Sequence, residues 1–104
     1  MYTVVETPEF RAQATKVWTT SEYEGFIDFI AANPEAGDVI PGSDGARKVR
    51  WAASGHGKRG GARVIYFNLL SDGLVVLIAV YAKAERGNLP TRQIRSAKHG
   101  AEKS

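Results

Sequence analysis

Ala46–Phe67, ARKVRWAASGHGKRGGARVIYF, is the stretch on which the fold turns. It holds six basic residues (Arg47, Lys48, Arg50, Lys58, Arg59 and Arg63) and no Asp or Glu. The next acid after Asp44 is Asp72. Arg47–Ala52 alternates charged and apolar residues with period two, and Arg63–Phe67 does so less strictly, which predicts a strand, a glycine-rich basic loop and a second strand. Successive strand side chains face opposite ways, so Lys48 and Arg50 share one face while Val49 and Trp51 share the other. Like charges at that spacing repel, and a polyanion relieves the repulsion.

The flanks extend this pattern in both directions. Tyr2–Glu6 reads as a short β-branched strand. Thr7-Pro8 starts a helix, with Thr7 able to cap and Pro8 at the first helical position, running to about Trp18 with Phe10, Ala14 and Val17 or Trp18 on one face. Thr19-Thr20-Ser21-Glu22 is a second capping signal, and the helix after it carries Tyr23, Phe26, Ile27 and Ile30 as an apolar stripe that belongs in a core. Asn33-Pro34 ends that helix. Asp38-Val39-Ile40 is a short extended piece within the Glu35–Gly45 loop. Beyond the two strands of the basic stretch, Ser71-Asp72-Gly73 is a hairpin turn with glycine where positive φ is needed. Leu74–Tyr81 is apolar throughout, the pattern of a strand covered on both faces. Thr91–His99 forms a last, basic helical piece, and residues 100–104 a frayed tail. The order β-α-α-β-β-β-α predicts a single α+β domain over residues 1–104: an antiparallel sheet core with two N-terminal helices on one face. The other face is then left for solvent, partner or site.

Composition narrows the function. At 104 residues and 43% apolar content, the chain is sized for one modest core. It has no cysteine, which excludes a disulfide scaffold, a thiolate metal site and a cysteine nucleophile. YTVV is too short an apolar core for a leader and Leu74–Ala82 is too short to span a membrane, so the expectation is a soluble, cytoplasmic protein with no membrane partner. The net charge of +3 conceals a separation: residues 1–44 carry −6 and residues 45–104 carry +9. One half is suited to a polyanion.

The same residues limit the chemistry. With only His56 and His99, in a loop and a tail, no metal site is expected, and no cofactor motif is present: GKRGG is not a phosphate loop. A basic surface with aromatics is the composition of RNA binding. Phosphodiester cleavage needs no metal when the nucleophile is the RNA's own 2′-hydroxyl. The protein must then deprotonate that hydroxyl, neutralise the transition-state charge and protonate the leaving 5′-oxygen. A lysine whose pKa is lowered by neighbouring cations can be the base, and an arginine clamps phosphate with two donors.

RKVRWAASGHGKRGGARVIYF, the apolar strand after it and then YAKAERGNL resemble the RelE/HigB superfamily, the toxins of bacterial type II toxin–antitoxin modules. The likeness is greatest to the HigB-like branch, where a KxR strand, a GKGKRGG-type loop, an R-[VI]-I-Y strand and a [YG]-x-K-x-E segment recur. It covers the chain from the first strand to about Leu89. The resemblance implies a ribosome-dependent mRNA endonuclease held inactive by a cognate antitoxin, HigA-like and containing a helix-turn-helix. Operator DNA is then met only through that antitoxin. Carried over position by position, Lys48 and Arg50 supply base and phosphate contacts, Arg63 stabilises the transition state, and Lys83 and Glu85 complete the catalytic set. Arg47, Lys58, Arg59 and Arg86 hold ribosomal or messenger RNA. Trp51 and Tyr66 are expected in the core. Two positions depart from RelE proper: Ala84 stands where an arginine follows the lysine, and Pro90 falls near a C-terminal tyrosine. The alternative is a non-catalytic module that binds RNA or ribosome, or a co-repressor acting with its antitoxin.

Overall fold

The computed structural model describes residues 2–53, 61–82 and 94. The N-terminal half follows its capping signals. β1 (Thr3–Glu6) leads into α1 (Pro8–Val17), where the Thr7 hydroxyl accepts from the Phe10 amide at 3.2 Å and donates to the Leu77 carbonyl at 2.9 Å. One side chain thus caps the helix and ties it to the sheet. α2 (Thr20–Ala32) opens with a full capping box between Thr19 and Glu22 and ends at Asn33. Phe10, Ala14 and Val17 of α1, and Phe26 and Ile30 of α2, are buried as their spacing requires.

The remainder is β2 (Asp38–Val39), β3 (Arg47–Trp51), β4 (Ala62–Leu69), a short 3₁₀ turn (Leu70–Asp72) and β5 (Leu74–Ala82). Gly73 has φ +69°, the left-handed geometry expected of this turn. The five strands form one sheet in the order β1-β5-β4-β3-β2. The expected antiparallel arrangement holds from β2 to β5, but β1 pairs with β5 in parallel, so the sheet is mixed. The intervening helices and hairpins give the chain the length a parallel crossover needs.

The sheet is covered on both faces, which corrects the expectation of an open second face. On the helix side, Phe10, Trp18, Phe26 and Ile30 pack on Val64, Tyr66, Val75, Leu77 and Val80. On the other side, Ile65, Phe67, Val76, Ile78, Ala79 and Tyr81 form a second buried cluster with Ala46 and Ile94. Ile94 lies in the stretch expected to be the last helix, and the rest of that helix lies outside the described residues. A register shift at Ile65/Tyr66 explains how the neighbours Ile78 and Ala79 both join this second cluster. β5 is accordingly buried along its length from Val75 to Ala82.

Candidate nucleic-acid interface

β3 sorts its residues by alternation, and its partner strand fixes which side each takes. Val49 pairs with Val64 and Trp51 with Ala62, all on the helix side. Trp51 is anchored there: its indole N–H donates to the Glu22 carbonyl at 3.0 Å, and its ring lies 5.0 Å from Phe29 and 5.6 Å from Phe26. Tyr66 is fully buried on the same side, and its hydroxyl accepts from the Gly37 amide at 2.8 Å. Burial pushes its phenol pKa up, so it stays protonated. Both aromatics therefore hold the structure together and are not placed to stack on bases.

Lys48 and Arg50 take the other side. Lys48 pairs with Ile65 of the second cluster and Arg50 pairs with Arg63. Arg63 pairs in turn with Tyr81 on β5, so that Arg50, Arg63 and Tyr81 form a row across three strands, with Lys48 two residues along. Directly opposed side chains stand about 4.5–5.5 Å apart at Cβ, and like charges so placed are destabilising. Arg50 is exposed, Lys48 and Arg63 are half-buried, and an Arg63 guanidinium nitrogen lies 3.4 Å from the Ala62 carbonyl. Arg50, Trp51, Ala52 and Gly61 line an open depression at this end of the sheet. Gly61 has φ +71°, and a Cβ there would fall 2.6 Å from the Trp51 carbonyl oxygen, so only glycine lets the basic loop rejoin the sheet this closely.

Arg47 departs from this group. It pairs with Tyr66, not with the cation row, and donates to the Gly37 carbonyl at 2.7 Å and to the Glu35 carbonyl at 3.5 Å. It also forms a 3.8 Å ion pair with Glu35. Its neighbours make it a clamp between β3 and the preceding loop, because alternation puts it on the face of Val49 and not of Lys48. Tyr81 is the residue that sequence reasoning passed over. It reads as one more apolar position of a buried strand, and only the β4–β5 register shows that it stands beside Arg63. Lys58, Arg59, Lys83, Glu85 and Arg86 lie outside the described residues, as does His56.

No family model matches the sequence. Among solved structures, a mutant of the E. coli toxin RelE in the free state aligns over 96% of this chain and 96% of its own, with a TM-score of 0.62 and 14% identity. The isolated E. coli RelE toxin aligns over 95% and 98%, with a TM-score of 0.60 and 14% identity. A chain of the intact E. coli RelBE toxin–antitoxin complex aligns over 83% and 100%, with a TM-score of 0.58 and 20% identity. The chain has the RelE fold. Within that fold, Lys48, Arg50 and Arg63 occupy adjacent positions on the side of the sheet away from α1 and α2.

Proposed function

We propose that the protein is the toxin of a type II toxin–antitoxin module, of the HigB-like branch, and acts as a ribosome-dependent mRNA endonuclease in the cytoplasm. The observation that carries this is the facing pair Arg50–Arg63 with Lys48 beside it. Three cations gathered on one sheet face suit a phosphodiester substrate. In the reaction, the 2′-hydroxyl attacks the neighbouring phosphate. Lys48 or Lys83 takes its proton, Arg50 holds a non-bridging oxygen, and Arg63 neutralises the charge that builds on the phosphorane-like transition state. The 5′-oxygen leaves with a proton from Lys83 or Glu85. Lys58 and Arg59 track the RNA backbone. The partner is a HigA-like antitoxin with a helix-turn-helix, through which the pair meets operator DNA.

Induced expression in a bacterial host tests this. The parent protein should arrest growth and produce cuts in translated messages, and Arg63→Ala should do neither. Arrest without cuts would instead identify a ribosome-binding inhibitor. Normal growth with the parent protein would remove the toxin assignment.

A further inference from the structure

β4 carries one charged residue, Arg63, and β5 carries one aromatic residue, Tyr81. The ladder sets the two directly opposite each other. Arg63 alternates with Ala62 and Val64 of the helix-side core, so its side chain leaves the other face of the sheet. Tyr81 belongs to the second cluster, on that same face. Opposed side chains on one face stand about 4.5–5.5 Å apart at Cβ, well within the reach of an aromatic ring. On its other flank Arg63 faces Arg50. The Arg63 side chain thus rises between a like charge and a phenol ring.

The two flanks act in the same sense. Like charges repel, so Arg50 pushes the guanidinium toward β5. The face of a phenol ring is negative and attracts a cation laid over it. A guanidinium stacked flat on a ring directs its N–H donors outward in its own plane, where they are open to a phosphate. One Arg63 nitrogen donates to the Ala62 carbonyl at 3.4 Å, which keeps the side chain close to its own strand. The ring itself is held in place. Tyr81 is only 5% exposed, in a cluster that includes Ile65, Phe67 and Ile94. A ring so confined does not reach a substrate, but it gives the half-buried Arg63 a rigid wall. Leu, Val, Ile and Ala fill the rest of β5. Any of them at position 81 would supply apolar cover without a ring face.

From this arrangement we infer that Tyr81 is a positioning residue, whose ring stacks on the Arg63 guanidinium and holds it aligned for the scissile phosphate. The effect on cleavage rests on the endonuclease reading of this face, whereas the stacking does not, so the two are tested apart. The first measurement is NMR of the full-length protein. The Arg63 Nε–H signal, assigned by its absence from Arg63→Ala, should lie upfield of the Arg50 signal, because a proton over a ring face is shielded. Tyr81→Leu should return it toward the Arg50 position, and Tyr81→Phe should not. The second measurement is cleavage of a message on programmed ribosomes. Tyr81→Leu should lower the single-turnover rate on the order of tenfold with ribosome affinity unchanged, since a misaimed donor loses transition-state and not ground-state binding. Tyr81→Phe, which keeps the ring, should cut far better than Tyr81→Leu. In an Arg63→Ala background, Tyr81→Leu should cost nothing further, because the group it positions is gone. A residue that only fills the core would cost the same factor in both backgrounds. If Tyr81→Leu does not fold, the Arg63 signal in the parent and in Tyr81→Phe decides. The inference is overturned if the parent's Arg63 signal coincides with that of Arg50, if Tyr81→Leu cuts at the parent rate, or if its loss is the same with and without Arg63. A parent that cuts nothing ends the endonuclease reading, and the Arg63 signal then decides for or against the stacked pair.

Discussion

The two faces of β3 and β4 carry residues of similar type with opposite fates. On the helix side, Arg47, Trp51 and Tyr66 each have a bonded partner within the fold: Gly37 and Glu35, Glu22, and Gly37 again. On the other side, Arg50 and Arg63 face each other across the ladder beside Lys48. Arg47 on the first face clamps the preceding loop, whereas Arg63 on the second donates to the Ala62 carbonyl and also stands in a concentration of positive charge. One residue's shift in register would exchange the two roles, because strand side chains alternate with period two. Basic residues in a strand therefore divide by face before they divide by type.

The comparison is broken most severely from the helix side. Phe26→Ala should cost about 3–5 kcal/mol of folding stability, measured by denaturant unfolding, because it removes a fully buried ring, and Trp51→Ala, which removes the half-buried ring packed against it, should cost less. On the other face, Arg63→Ala should reduce cleavage by ~10²-fold, as the loss of one transition-state donor does. Arg50→Ala should weaken ribosome binding in all sequence contexts and lower the slope of log affinity against log salt by about 1, measured from 50 to 200 mM salt. Arg47→Ala should do the reverse, losing about 1 kcal/mol of stability with its backbone contacts while the salt slope stays at the parent value.

The smallest effect concerns pH. Tyr23 has its pKa raised from 10.0 to about 12 by its bond to Glu6, and a raised phenol pKa means that the fold favours the neutral form. That contribution is fully present below pH 10 and is lost as pH rises through about 12. Melting temperature should fall over this window in the parent, and the part of the fall due to this group should be missing in Tyr23→Phe.

Local signals accounted for much of the fold. Thr7-Pro8 and Thr19 to Glu22 placed both helix starts, and the unbroken apolar run from Leu74 identified a strand buried on both sides. These are decided within a few residues, by capping bonds and side-chain periodicity. The parallel pairing of β1 with β5 was not legible, because nothing in Thr3–Glu6 encodes its partner. Nor was the cover on the second face: Ile94 is one apolar residue in a basic stretch, and only the tertiary structure brings it onto Ile65, Phe67 and Ile78. Within the candidate site, alternation grouped Lys48 with Arg50 correctly. The same rule sets Arg47 on the opposite face, where it bonds Gly37 and Glu35. The approach of Tyr81 to Arg63 depends on a register shift at Ile65/Tyr66 that period-two reasoning does not foresee.

The central claim is that the Lys48, Arg50 and Arg63 face cuts message on the ribosome. The most direct measurement uses purified ribosomes programmed with one message, with 5′ ends mapped after addition of parent protein or Arg63→Ala, and with the message alone as control. The account predicts cuts in frame with translation from the parent, ~10²-fold fewer from Arg63→Ala, and none when ribosomes are omitted. Equal cutting by the parent and Arg63→Ala would contradict it.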